Sequence, residues 1–202
     1  MKLAIAGLTA SGKSYHAKRL SKKFNLEYFE ASKLLIQSMS IQNSEVDHFW
    51  ISKQAQQLIY SRNQSHQYDL DTDKALMELA ENKDNFIIDS WILPWLYKKK
   101  DLIKIYLLAS AEAKTEMAYL STISKLYTKK ELSKKIQKKD EKTRQMFLGL
   151  YNIDIYNYEN FDIVLDISKS YTNPEGVTNL LEKLILDHNS QTSTFSSNFK
   201  GF

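Results

Sequence analysis

An α/β fold with a parallel sheet is predicted by three observations. Short apolar runs of strand length recur along the chain with helical periodicity between them. The first run, Leu3-Ala4-Ile5-Ala6, leads at once into Gly7-Leu8-Thr9-Ala10-Ser11-Gly12-Lys13-Ser14, which has the G-x-x-x-x-G-K-[ST] spacing of a phosphate-binding loop. The chain has only 5 glycines in 202 residues, yet two of them stand at the two obligatory positions of that spacing.

The strands are expected at Lys2–Ala6, Glu27–Phe29, Phe86–Asp89, Ile103–Leu108 and Ile163–Asp166, enough for one five-stranded parallel sheet flanked by helices. A strand that enters a Gly-rich turn and leaves it as a helix predicts the P-loop NTPase fold. Between the second and third strands a long stretch carries helical patterns, including Phe49-Trp50, Ile51, Gln54 and Leu58 and later Leu70, Leu76, Met77 and Leu79-Ala80. Such an insertion, about 31–84, is where small P-loop kinases place their phosphoacceptor helices. Thr128-Lys129-Lys130-Glu131 has the form of a capping box, and Leu132, Ile136, Phe147 and Leu150 give the helix behind it an apolar side. Asn173-Pro174-Glu175 caps the last helix, whose Val177, Leu180, Leu181, Leu184 and Ile185 recur at helical spacing and should pack on the sheet. One domain over 1–187 is expected, followed by a disordered polar tail over 188–202.

Composition narrows the function. The absence of cysteine excludes disulfides and thiolate metal sites and fits a reducing, cytoplasmic setting. No run approaches the roughly 20 apolar residues of a membrane helix, and Met1-Lys2 passes straight into the first strand, so neither a membrane anchor nor a leader is expected. His16, His48, His66 and His188 have no metal-ligand spacing. The net charge is +4, but Lys125–Arg144 holds nine basic against three acidic residues, an excess of six, so the rest of the chain sums to −2. Tyrosines interleave with those lysines as they do on some nucleic-acid surfaces, yet no recognised RNA-binding signature accompanies them. A small-molecule nucleotide is the expected partner.

The loop specifies its own chemistry. Gly7 and Gly12 let the backbone approach an anion, and the amides of Thr9, Ala10, Ser11 and Gly12 converge with the helix N-terminus on a polyphosphate. Lys13 would reach its β- and γ-oxygens, and the Ser14 hydroxyl would take one position on Mg²⁺. Asp89 closes an apolar strand, so it would stand in the crevice beside Lys13 and hold a Mg²⁺-bound water or an acceptor hydroxyl; the plainer role is to cap the following turn. The basic segment could be no more than a solvated helix face; if instead it screens a transferring phosphoryl group, Lys139 and Arg144 are the candidates.

Three further stretches carry a resemblance. Lys139-Asp140-Glu141-Lys142-Thr143-Arg144, Leu150-Tyr151-Asn152-Ile153-Asp154-Ile155 and Phe161-Asp162-Ile163-Val164-Leu165-Asp166-Ile167-Ser168 are similar to the C-terminal half of the archaeal-type cytidylate kinase family, with its basic-acidic helix, Tyr-Gly-Ile-Asp turn and closing strand. With the P-loop and Ile88–Trp95, the resemblance spans about Met1 to Leu186. It implies a nucleoside monophosphate kinase fold, with a helical acceptor region over about 31–84 and a helical lid over about 120–150, and an ATP- and Mg²⁺-dependent transfer of phosphoryl to CMP or dCMP. The chain departs from the family pattern where acceptor arginines are expected: Ser90-Trp91 replaces a Gly-Arg pair, Lys139 and Met146 stand at two lid positions, and none lies near Leu35-Ile36. Arginine and lysine are not equivalent at a bidentate phosphate site. Two alternatives therefore stay open at this point: a nucleotide-binding switch or adaptor without transferase activity, and a kinase for another small acceptor.

Overall fold

The computed structural model describes residues 1–38, 66–121 and 127–198. In chain order its elements are β1 (Lys2–Gly7), α1 (Lys13–Phe24), β2 (Glu27–Glu30), α2 (Ala31–Ser38), α3 (Gln67–Asn82), β3 (Phe86–Asp89), α4 (Leu93–Leu96), β4 (Leu102–Leu108), α5 (Ala111–Leu120), α6 (Lys129–Tyr151), β5 (Ile163–Asp166) and α7 (Pro174–Asn198). The five strands form one parallel sheet in the order β2-β3-β1-β4-β5, each within a residue of its expected position. The helical patterns around Phe49 to Leu58 lie outside the described residues.

β1 is buried on both faces, as a central parallel strand must be, and its alternate residues serve different layers. Leu3 and Ile5 join Ala17 and Leu20 of α1 and Val177, Leu181 and Ile185 of α7 on one face. Ala4 meets Leu76 and Ala80 of α3 on the other, and Ala6 meets Trp95, Tyr106 and Phe147. Small residues at positions 4 and 6 leave room for that bulkier second layer.

The helix ends follow local chemistry. Thr128 and Glu131 form the reciprocal capping box at the start of α6. The Asn173 side chain accepts the Gly176 N–H at 3.0 Å at the start of α7. Asn25 and Asn152 close α1 and α6 with φ of 52° and 55°, a left-handed conformation that asparagine tolerates better than most residues. That explains how Asn152 fills a position where the resembling family has glycine.

Two expectations are corrected. The polar segment after Asp187 continues α7 as far as Asn198, and residues 199–202 lie outside the described part. Extending an existing helix adds one hydrogen bond per residue fixed and needs no new nucleus, so polar composition alone does not end it. Leu180, placed with the packing face of α7, is 44% exposed at the margin of the stripe that Val177, Leu181 and Ile185 bury.

His16 shows how tightly α1 and α7 are joined. It is 3% exposed, with Nδ1 at 2.9 Å from Thr178 Oγ1. The Thr178 hydroxyl donates to the Pro174 carbonyl, so it accepts from His16 and the proton sits on Nδ1. Burial, aided by the nearby Arg19 charge, holds the imidazole pKa down at about 4. Between that value and the ordinary 6.5 the unfolded chain binds the proton that the folded chain refuses. Stability from this site is therefore complete above pH 6.5 and drains away as pH falls toward 4, by up to about 3 kcal/mol. Urea unfolding across this range should show the decline, and His16→Gln should flatten it; a parent protein equally stable at both ends would refute the assignment.

Candidate active site at the C-terminal edge of the sheet

The P-loop leaves β1 at the point where the order of strands reverses, with β3 on one side and β4 on the other. Gly7 has φ 149°, and a Cβ there would stand 2.6 Å from the Leu107 carbonyl oxygen and 2.7 Å from Ser11 Oγ. Only glycine permits this approach. Gly12, at φ 78°, stands at the N-cap of α1. Ala10 is also left-handed, at φ 59°, a conformation costing an L-residue roughly 1–2 kcal/mol. The Thr9 and Ser11 hydroxyls are buried and have no hydrogen-bond partner among the described residues. A concave loop of backbone amides, two such hydroxyls and a glycine that no side chain can replace suits a polyphosphate.

Register brings the acid to this loop. Ile5 pairs with Asp89 across β1 and β3, and Asp89 pairs with Glu30 across β3 and β2, so two carboxylates stand side by side at the strand ends. Ser14 Oγ donates to Asp89 Oδ2. Lys13, 8% exposed, donates from Nζ to the Leu8 carbonyl at 2.9 Å and faces the Trp91 ring, 5.2 Å from its centroid. Burial pushes the Asp89 carboxyl up, against the opposing pull of Lys13 and the Ser14 hydroxyl. Burial likewise pushes the Lys13 ammonium down, against the Asp89 and Asp140 charges. Each group thus offsets part of the cost of burying the other. A serine hydroxyl and a carboxylate fit Mg²⁺, which is ordinarily held by one or two protein oxygens together with phosphates and water. Among the described residues no group of three or more His, Asp or Glu side chains is arranged to hold a metal by itself.

Two clefts flank these groups. A cleft of about 180 Å³ is lined by Thr9, Lys13, Ser14, Glu30, Asp89 and Lys139. A second, of about 90 Å³, is lined by Leu35, Asp69, Thr72, Asp73, Ser90 and Thr143. Ala31, Ser32, Trp91 and Lys139 border both. Asp69, Thr72 and Asp73 fall at i, i+3 and i+4 of α3 and so share a face. Tyr151 at the end of α6 donates to Asp73 at 2.8 Å, tying that face to the helix carrying Lys139.

Most of the expected residues meet here. Gly7, Thr9, Ala10, Ser11, Gly12, Lys13 and Ser14 build the loop, Asp89 faces it, and Lys139 lies in the wall common to both clefts, but the Thr9 N–H, expected among the amides that converge on the anion, donates to Asp140 instead. Arg144 does not join them. Its guanidinium forms a two-pronged bond to Asp154, at 2.9 and 2.6 Å, and covers the Tyr156 ring. The reason is helical geometry: Arg144 is five residues beyond Lys139, about 140° round the axis, on the other margin of the buried stripe. Trp95 is core, and it donates from Nε1 to the Asn157 carbonyl at 2.9 Å. Glu30, Asp69, Thr72 and Asp73 were missed. The i, i+3, i+4 polar spacing on α3 was a legible signal; Glu30 had none before the strand register was known.

If Lys13 reaches a bound polyphosphate as the loop's spacing predicts, Lys13→Ala should weaken binding of Mg-ATP by about a hundredfold or more, because the ammonium would make two charge-assisted bonds of about 1.5–3 kcal/mol each. Its melting temperature is followed beside the affinity, because the change also leaves the Asp89 carboxyl buried without its ammonium partner. Isothermal titration checks this, and undiminished affinity would remove Lys13 from the donor site.

The comparisons with known proteins follow this geometry. Cytidylate kinase from Sulfolobus acidocaldarius is 31% identical over 182 residues, covering 90% of this chain and 92% of its own. Cytidylate kinase from Pyrococcus horikoshii is 26% identical over 187 residues, covering 92% and 88%. Among solved structures, shikimate kinase from Bacteroides thetaiotaomicron superposes with a TM-score of 0.61 at 14% identity over 92% of this chain and 98% of that one, a likeness of fold alone. The model of the cytidylate kinase-like family matches residues 2–169. A P-loop closed by Lys13 and Ser14, an acid at the end of β3 and a match of this extent make the chain a member of the cytidylate kinase-like family.

Proposed function

We propose that the protein is an ATP- and Mg²⁺-dependent kinase that transfers a phosphoryl group to a nucleoside monophosphate, with CMP or dCMP as the nearest acceptor. The observation that carries this reading is the placement of Ser14, Asp89 and Lys13 at a cleft whose wall, Trp91 and Lys139, it shares with a second cleft bearing polar side chains. A donor on one side and an acceptor on the other would meet at that wall. Family membership supports the same reaction class.

An acceptor phosphate is already a nucleophile, so the chain needs to position and neutralise rather than abstract a proton. Lys13 exchanges the Leu8 carbonyl for phosphate oxygens, a short swing from its present bond. Bound Mg²⁺ would supply charge neutralisation and a template for the polyphosphate. Ser14 and Asp89 would hold it, Ser14 directly and Asp89 directly or through water. Lys139 brings positive charge to the shared wall, where charge accumulates on the transferring group. On the acceptor side Asp69 and Asp73 offer carboxylate oxygens, which suit hydroxyl or amino donors of a sugar or base. Trp91 offers a π-face against either substrate. Helix α6, which carries Lys139, is the element proposed to close as a lid.

The acceptor phosphate is the demanding part. The chain has three arginines: Arg19 on α1, Arg144 paired with Asp154, and Arg62 outside the described residues. Each bidentate arginine contact replaced by a lysine or an apolar group costs about 1.5–3 kcal/mol, tenfold to a hundredfold in rate or affinity. Over the three positions near Leu35, at Trp91 and at Met146 these losses compound to at least about a thousandfold, so a coupled assay of ADP release over CMP, dCMP, UMP, AMP and dTMP should show turnover with CMP or dCMP at a kcat/KM at or below about 10³ M⁻¹s⁻¹, against a middling enzyme value of about 10⁶ M⁻¹s⁻¹. Clear ATP binding with no turnover on any monophosphate would overturn this reading in favour of a switch or another acceptor.

A further inference from the structure

The geometry points to Asp140 and Lys114 as a positioning pair for the donor phosphates, one that holds the P-loop through a backbone amide and keeps that hold electrically neutral. Asp140 lies on α6 and Lys114 on α5, and neither is needed for the kinase reading above. The Thr9 N–H, an amide of the P-loop itself, donates to Asp140 Oδ1 at 2.9 Å across 131 residues of sequence. The other oxygen, Oδ2, accepts from Lys114 Nζ at 2.6 Å. The side chains of Lys114 and Asp140 are 9% and 2% exposed. One carboxylate thus joins the loop and two helices, with a different partner for each oxygen.

Stability alone does not explain the arrangement. A buried ion pair gives up hydration that its mutual attraction barely repays, and a well-packed apolar pair of similar volume is often as stable. What an apolar pair cannot do is accept the Thr9 N–H. A carboxylate can, but placed unneutralised on a loop that must receive a polyphosphate it would repel its ligand. Lys114 removes that conflict. Both charges lie within reach of Lys13, since Asp140 favours its ammonium and Lys114 disfavours it. The pair therefore acts at the phosphate site and not at a distance from it.

The two roles separate by mutation. Asp140→Ala removes the acceptor for Thr9 N–H; Asp140→Asn keeps an acceptor oxygen and removes the charge; Lys114→Met keeps the carboxylate and removes its neutralising partner. Binding of Mg²⁺ and a non-hydrolysable ATP analogue, measured by isothermal titration well below each melting temperature, reads them without any acceptor. Asp140→Ala should weaken binding about tenfold, and Lys114→Met about tenfold to a hundredfold. Asp140→Asn should stay within a few-fold of the parent although its melting temperature falls, and adding it to Lys114→Met should restore most of the lost affinity. Melting temperatures that fall with affinity unchanged in every variant would reduce the pair to a structural contact and overturn the proposal. Tighter binding by Asp140→Ala and Asp140→Asn alike would also overturn it, by showing that the carboxylate competes with phosphate for the amide. Should Asp140→Ala not fold, the opposite signs expected for Lys114→Met and its Asp140→Asn double variant still decide. The proposal rests on the donor-site reading, and the parent separates the two failures: a parent that does not bind the analogue overturns both, whereas a binding parent with unresponsive variants overturns only this one.

Discussion

A chain that must turn sharply out of a buried strand and still leave its amides open to an anion has little freedom at the turning point. Here that point is Gly7, pressed against the Leu107 carbonyl of the neighbouring strand with no room for a Cβ. The tight turn returns Lys13 over its own loop to the Leu8 carbonyl and sets Ser14 against Asp89. A wider turn would move the start of α1 away from β3 and break the Ser14–Asp89 contact. The register of β1 with β3 is the matching constraint, because a one-residue slip would turn Asp89 to the other face of the sheet. Fold and site thus depend on the same few ångströms.

Charge at the site is concentrated but balanced. Lys13 and Asp89 are buried together, and each makes the other's burial tolerable. Lys114 and Asp140 repeat the device on the far side of the loop. The strongly basic segment lines the clefts less than its composition suggests. Of its residues Lys139 reaches the clefts, Asp140 holds the loop, and Arg144 is committed to Asp154 and Tyr156. An acidic residue inside the basic run takes the Thr9 N–H, a contact that none of the lysines around it can make.

The second cleft differs in kind from the first. Its carboxylates, Asp69 and Asp73, sit on a helix face held by Tyr151, and Trp91 stands at the junction where the family pattern has arginine. A guanidinium grips a phosphate by two parallel hydrogen bonds, while an indole offers surface and a ring face. Replacing one by the other trades phosphate grip for contact with a flat or apolar group, and the Trp91 ring also covers the Lys13 ammonium.

Much of this was legible in the residues. Strand and helix positions followed from periodicity and caps, since those signals are local: an apolar run of strand length, the Thr128–Glu131 box, and Asn173 before Pro174 each act within a few residues. The donor loop was legible for the same reason, because all its working parts are contiguous from Gly7 to Ser14. The extent of α7 beyond Asp187 was misjudged because composition says little about where an established helix stops. By itself the sequence determined the α/β order, the phosphate loop and the acid at the end of β3. Only the tertiary structure decided that Glu30 would stand beside Asp89, that Asp140 would take a P-loop amide 131 residues away, and that Arg144 would turn aside while Lys139 faced the cleft. Those outcomes depend on strand register and on which margin of a helix meets its neighbour, quantities that arise between elements and leave no local trace in any one of them.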